Sequence, residues 1–199
     1  MEARMALRID RITASDLPAY AAIPTAFAVE SVYRVEPRDD GLAGLAMVEE
    51  RVKPYVKDYD ALADEDDEGV VGWAAARDVT EWGIFLAMDD DQAVGGVTVA
   101  VGVSQHVQTD GPDEAVLWDI RVRPGRRREG IGARLLDHAA DWARNEGLAR
   151  LRIETQNVNV PACRFYASQG CELGVIHRHG YRGHPSVGQE AMLLWYLTL

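Results

Sequence analysis

Arg126-Arg127-Arg128-Glu129-Gly130-Ile131-Gly132-Ala133 is the stretch on which the reading of this chain turns. Before it, Ala115 to Val122 reads as a strand that Pro124-Gly125 ends. After it, Gly132 to Glu146 reads as an amphipathic helix, with Ile131, Leu135, Leu136, Ala139, Trp142 and Ala143 on or near one face and Gly147 as its stop. A strand, a basic glycine-rich turn and a helix together make a device for holding phosphate. The first N–H groups of a helix have no internal partner and carry the positive end of its dipole. Gly130 and Gly132 let a polyanion approach the main chain closely, with three arginines in front of them. Alone, the turn says only that an anion can dock at a helix start, and solvated arginines on a surface turn would look the same. The P-loop pattern is missing, and the dinucleotide pattern G-x-G-x-x-G fails because Leu135 stands where its last glycine would be.

Working outward, Leu148 to Thr155 reads as strand, Asn159 to Gln169 as helix and Cys171 to Ile176 as strand. A Gly- and His-rich loop then leads to a last strand, Glu190 to Leu197. Upstream, Trp82 to Met88 and Ala93 to Val103 form a hairpin about the polar turn at 89–92, and Ser104 to Glu114 is a loop. In the first third, Arg4 to Ile12 alternates like a half-buried strand, and Thr13, Ser15 and Asp16 offer helix starts ahead of Pro18. Tyr20, Ile23, Phe27 and Val29 are expected on one apolar face, interrupted by Pro24. Leu42 to Tyr55 is expected to be a second helical region, and Asp64 to Glu68 a solvated acidic loop. The expectation is one α/β domain around a mixed sheet, with an antiparallel hairpin at one end and a strand–helix–strand crossover in the middle.

The chain has 199 residues, 47% of them hydrophobic and 27% charged, which is ordinary for a globular domain with a substantial core. No apolar run is long enough to span a membrane, and the N-terminus shows no secretory signal. Cys163 and Cys171 have neither metal nor disulfide spacing, and free thiols in a reducing cytoplasm are expected. A net charge of −11 argues against nucleic acid as a partner. It is compatible with attracting a cationic small molecule, or with solubility alone.

Val122-x-Pro124-x-x-Arg127-x-x-Gly130-Ile131-Gly132-x-x-Leu135-Leu136 resembles the acetyl-CoA-binding motif of the GNAT superfamily of N-acetyltransferases. Asn159-x-x-Ala162-x-x-x-Tyr166-x-x-x-Gly170 matches the second segment of that family in order and spacing. Leu117 to Val122, Glu154 to Asn157 and Leu193 to Tyr196 look like the streptothricin acetyltransferase branch. The first third carries much less of the likeness. One departure stands out: many relatives have glycine directly after the motif arginine, where this chain has Arg128 and then Glu129.

The resemblance implies a single GNAT-like domain with a splayed sheet, residues 1–81 on the acceptor side and 82–199 as the cofactor-binding core. Acetyl-CoA is the implied co-substrate, and no metal is expected. Main-chain groups of the Trp118–Val122 strand, including Ile120 and Arg121, would pair with the pantetheine arm. Amides from Arg127 to Ala133, through Arg128, Glu129, Gly130, Ile131 and Gly132, would hold the pyrophosphate, helped by the side chain of Arg126 or Arg128. Asn159 would hydrogen-bond the arm, and Tyr166 would protonate the departing thiolate. The base is Asp119, Glu154 or a water chain, and either carboxylate has an alternative in ion pairing with Arg121 or Arg152. The implied partner is a small, cationic primary amine, with streptothricin as one candidate. Protein amines, a non-catalytic acyl-CoA sensor and a nucleotide-binding protein stay open. Ala191 to Trp195 suits a homodimer contact or a buried central strand. His177, His179 and His184 lack a completing ligand set, and Trp73 and Trp82 are read first as packing.

Overall fold

The computed structural model describes residues 7–62, 69–102 and 111–199. In chain order the elements are β1 (Arg8–Arg11), α1 (Leu17–Ala21), β2 (Phe27–Pro37), β3 (Leu45–Lys57), α2 (Gly69–Ala76), β4 (Gly83–Asp89), β5 (Gln92–Ala100), β6 (Glu114–Val122), α3 (Ile131–Asn145), β7 (Arg150–Gln156), α4 (Val160–Ser168), β8 (Glu172–His177) and β9 (Met192–Thr198). Seven strands form a mixed central sheet in the order β1-β4-β5-β6-β7-β9-β8, and β2 and β3 form a two-stranded sheet. Two compact units divide the chain: Met1–Ala26, Asp58–Leu151 and Leu199 in the first, Phe27–Lys57 and Arg152–Thr198 in the second.

In the first unit β1, β4, β5 and β6 pair antiparallel, with Ile9 opposite Ala87, Phe85 opposite Val97, and Val97 opposite Ile120. β4 and β5 are near-continuous apolar runs because both faces of this sheet are covered. Two adjacent glycines on β5 show how. A Cβ on Gly95 would meet Leu135 and Ile131 of α3, and one on Gly96 would come within 2.5 Å of the Tyr20 ring of α1. Successive strand residues point to opposite faces, so α3 covers one face and α1 the other. On the α1 face, Leu17, Tyr20, Trp73, Trp82, Ile84 and Leu86 make one buried cluster. Each such side chain contributes about 1.5–3 kcal/mol by leaving water. Trp73 and Trp82 are therefore core residues, 6% and 4% exposed.

In the second unit β2 and β3 pair from Phe27 opposite Lys57 to Pro37 opposite Leu45, slipping register between Val29 and Ser31. β8 and β9 pair antiparallel, and Leu193 and Trp195 of β9 are buried, as a central strand requires. Asn157 uses its main chain and its side chain alike. Its N–H donates to Ala191 O and its Oδ1 accepts from Ala191 N–H, while Nδ2 donates to Tyr33 O and its carbonyl accepts from Tyr33 N–H. Lys57 and Glu190 form a buried ion pair.

Two expectations for the first third need correction. The apolar face expected over Tyr20–Val29 does not exist, because α1 ends at Ala21 and Phe27 opens β2. Leu42–Tyr55 is not helical: Leu45–Lys57 is β3, whose charged residues lie in a hairpin with much of both faces exposed. Gly69–Ala76 forms a helix that the sequence did not announce. Of the Arg4–Ile12 strand, Arg8–Arg11 is strand, and residues up to 6 lie outside the described residues. The acidic loop Asp64–Glu68 and most of the Ser104–Glu114 loop also lie outside them. From Gly83 onward the expected elements stand, with ends moved by a few residues.

Candidate active site

The turn expected to hold phosphate begins where β6 runs into a short 3₁₀ turn at Pro124–Arg126. Its three arginines have three different environments. Arg126 donates to Asp89 at 2.7 Å and to Glu129 at 3.0 Å, and these two acids raise its pKa. Arg127 turns inward, giving Nε to Val122 O at 3.1 Å and Nη2 to Ala26 O at 3.0 Å, and burial lowers its pKa. Arg128 is exposed and left-handed, with φ 70°. Glycine takes that conformation freely, whereas a side chain pays about 1–2 kcal/mol. The departure from the family pattern thus falls at a position where the main chain still has a glycine's geometry.

Gly130, with φ 81°, is the N-cap of α3, and no side chain caps this helix. A Cβ there would meet nothing within 4 Å, and residues 128–130 are exposed. The start of α3 therefore has open space beside Gly130 and the helix dipole behind it, which suits a pyrophosphate. Of the side chains expected to add charge there, Arg128 is exposed, whereas Arg126 is already paired with two carboxylates.

On β6, Asp119 and Arg121 are two residues apart and pair on one face. Arg121 gives Nε and Nη2 to the two Asp119 oxygens at 2.9 and 2.7 Å. Its Nη1 reaches Ile23 O at 3.0 Å and Asp60 at 3.2 Å, and the guanidinium lies 5.2 Å from the Tyr20 ring centre. Burial opposes the Arg121 charge, but Asp119 outweighs it and the pKa is raised. Tyr20 donates to Asp119 at 2.7 Å, and burial, then the Asp119 charge, holds its phenol well above the ordinary value. The Asp119 carboxylate thus accepts three hydrogen bonds, and the Arg121 side chain is consumed inside the unit. Ile120, Arg121 and Val122 have Val97, Gly96 and Gly95 of β5 opposite them.

Beside this cluster Thr25 closes a small ring. Its N–H donates to Asp60 and its hydroxyl to Asp58, and it accepts from the Asp60 N–H. The sequence marked Tyr20 only for an apolar face and did not single out Thr25 or Asp60, since their partners lie far along the chain; the pair Asp119–Arg121 was the available signal.

In the second unit Asn159 is the N-cap of α4, its Oδ1 accepting from Ala162 N–H at 3.1 Å. Tyr166, two turns on, is buried, with its ring 5.3 Å from Phe165 and 6.3 Å from Trp195. Cys163, on the same helix, is buried too, and desolvation pushes its thiol up to about 12. Glu154 of β7 is exposed and accepts from Tyr181 at 2.8 Å. His177 and His184 accept through Nδ1 from the main-chain N–H of His179 and Ser186. Among the described residues no three His, Cys, Asp or Glu side chains are grouped to hold a metal, and no helix is long and apolar enough to cross a membrane.

Residues 42–171, more than half of the chain, match the acetyltransferase (GNAT) family. This chain belongs to that family. A streptothricin acetyltransferase of Escherichia coli is 31% identical over 85% of this GNAT chain and 84% of its own length. The streptothricin acetyltransferase of Streptomyces lavendulae is 31% identical over 90% and 88%. A proposed streptothricin acetyltransferase from Bacillus anthracis str. Ames, solved in complex with acetyl coenzyme A, superposes with a TM-score of 0.76 at 25% identity, covering 98% of this chain and all of that one. The GNAT protein described here is an acetyl-CoA-dependent N-acetyltransferase.

Proposed function

We propose that this enzyme acetylates a primary amine on a small cationic acceptor, with streptothricin, at its β-lysyl amine, as the first candidate. The extent of the likeness carries the reading. It spans 85% of this chain and 84% of the E. coli enzyme, and so takes in part of residues 1–81 as well as residues after them. The net charge of −11 is in keeping with a polycationic acceptor.

Acetyl-CoA supplies an activated thioester carbonyl; the acceptor nitrogen bonds to its carbon as the carbon–sulfur bond breaks. The chain's own residues have four tasks. The opening amides of α3 and the Arg128 guanidinium hold the phosphates, and the main chain of Trp118–Val122 with Asn159 orients the arm. Tyr166 gives its phenolic proton to the departing sulfur. The proton leaving the acceptor nitrogen goes to Asp119 or Glu154, directly or through water. Asp119 already accepts from Tyr20 and Arg121, whereas Glu154 accepts from Tyr181 on an exposed strand position. In this reading residues 1–81 shape the acceptor side and 82–199 the cofactor side, in a reducing cytoplasm.

Thiol release from acetyl-CoA, measured with streptothricin, a polyamine, an aminoglycoside, an amino acid and a peptide amine, tests the assignment. Streptothricin is expected to exceed the others in kcat/KM by on the order of a hundredfold. A different preferred amine would overturn the acceptor, and tight CoA binding with no amine-dependent thiol release would overturn transfer itself.

A further inference from the structure

Three guanidinium groups from β6 and the turn after it reach one short segment. α1 ends at Ala21, and the chain passes through Ala22–Ala26 before β2 begins. Arg121 donates to Ile23 O at 3.0 Å, Arg123 to Ala22 O at 3.5 Å, and Arg127 to Ala26 O at 3.0 Å. A helix that stops leaves its last carbonyls without the amides of a following turn, and Pro24 removes one more N–H from this connector. The arginines supply the donors that the connector's own backbone does not.

Arg127 differs from the other two in belonging to the phosphate turn. Its planar fork holds Val122 O through Nε and Ala26 O through Nη2, joining the end of β6 to the connector with one rigid group. The next residue is left-handed Arg128, and two positions further stands left-handed Gly130. A ligand on these amides fixes the main chain on the C-terminal side of Arg127. The neighbour of Ala26 is Thr25, which is bonded to Asp58 and Asp60, and Asp60 is bonded in turn to Arg121. Through Thr25 the connector is thus bonded to two carboxylates, of which Asp60 is 39% exposed.

We propose that Arg127 is a positioning residue that passes occupancy of the phosphate turn to the Ala22–Ala26 connector, ordering it and its Asp58–Asp60 carboxylates for a cationic amine. This rests on the cofactor reading of the turn given above. It gives Arg127 a task apart from phosphate contact, and it makes occupancy of the turn and amine binding favour one another.

Hydrogen–deuterium exchange with CoA alone as the probe tests this, because the free thiol carries no acetyl group to transfer. In the wild-type enzyme CoA is expected to slow exchange in peptides covering 126–133 and also in those covering 20–26, the latter by about fivefold. Arg127→Lys keeps the charge but has no fork to bridge two carbonyls. It is expected to keep protection at 126–133 and lose it at 20–26, with acceptor KM raised about fivefold and kcat little changed. Equal connector protection in the variant overturns the inference. So does a wild-type connector that ignores CoA while the turn is protected, a result that stands even if Arg127→Lys fails to fold. Arg127→Gln, neutral and without the fork, gives a second variant with the same expectation. Absence of protection at the turn itself in the wild type refutes the cofactor reading, and this inference with it.

Discussion

Helices α3 and α4 begin in opposite ways. α4 is closed by its own sequence: Asn159 accepts from Ala162 N–H and Pro161 stands in the first turn. α3 has a left-handed glycine as N-cap, which offers no side-chain cap of its own. Both carry a positive dipole end, yet only α3 offers it unspent. The comparison teaches that glycine content alone does not make a phosphate site. In the proposed reading, the phosphate site is the helix start whose N-cap has no side chain to spend on it. α4 spends its start on rigidity instead, and so holds the helix that carries Tyr166.

Gly132→Asp breaks the contrast most severely. Aspartate in the first turn suits the dipole of α3, so stability should hold, while CoA Kd from calorimetry should rise by roughly a hundredfold through charge and bulk at the phosphates. Unchanged affinity would remove the turn from the cofactor site. Tyr166→Phe takes only a hydroxyl from α4. Turnover should fall by about 10- to 100-fold with CoA affinity preserved; full kcat would end its role as proton donor.

Smaller effects sharpen the difference between the two helix starts. Asn159→Ala should cost about 1 kcal/mol and lower Tm by roughly 2–4 °C, since α4 depends on its cap. A Tm drop of that size for Gly132→Asp as well would mean that the two starts are not different in kind. Arg128→Gly should release the strain of a left-handed side chain, raising stability by about 1 kcal/mol. The same change should weaken CoA by a few-fold through the lost charge. Tighter binding by the glycine variant would show that Arg128 only obstructs.

From β4 onward the elements were legible because one physical rule governed each. β4 and β5 are runs of apolar residues buried between layers, and α3 presents one unbroken apolar stripe. β2 and β3 obey no such rule. Glu49, Glu50, Arg51 and Lys53 lie exposed on a two-stranded ribbon, so alternation fades and Leu45, Met47 and Val48 imitate a helix face. α2 was missed for the opposite reason, since Gly-Val-Val-Gly-Trp-Ala-Ala-Ala is apolar all round and shows no stripe. At the start of α3 the basic, glycine-rich turn between strand and helix was readable from local sequence, whereas Asn159 entered through the family resemblance and stands as the N-cap of α4. The Tyr20–Asp119 bond joins residues 99 positions apart, and no local pattern reports such a partner. Nor could spacing reveal that the adjacent arginines 126, 127 and 128 differ in environment.

Thr25 has a consequence for how this chain can change. The β2–β3 hairpin leaves the first unit after Ala26 and the chain returns at Asp58. Thr25 ties these two ends together by bonding both Asp58 and Asp60. None of those bonds involves a residue of the hairpin itself. The clasp therefore does not depend on the ribbon's exposed positions: Arg51 and Lys53 can be recharged while it stays shut, whereas Lys57 and the Tyr33 main chain are held by Glu190 and Asn157.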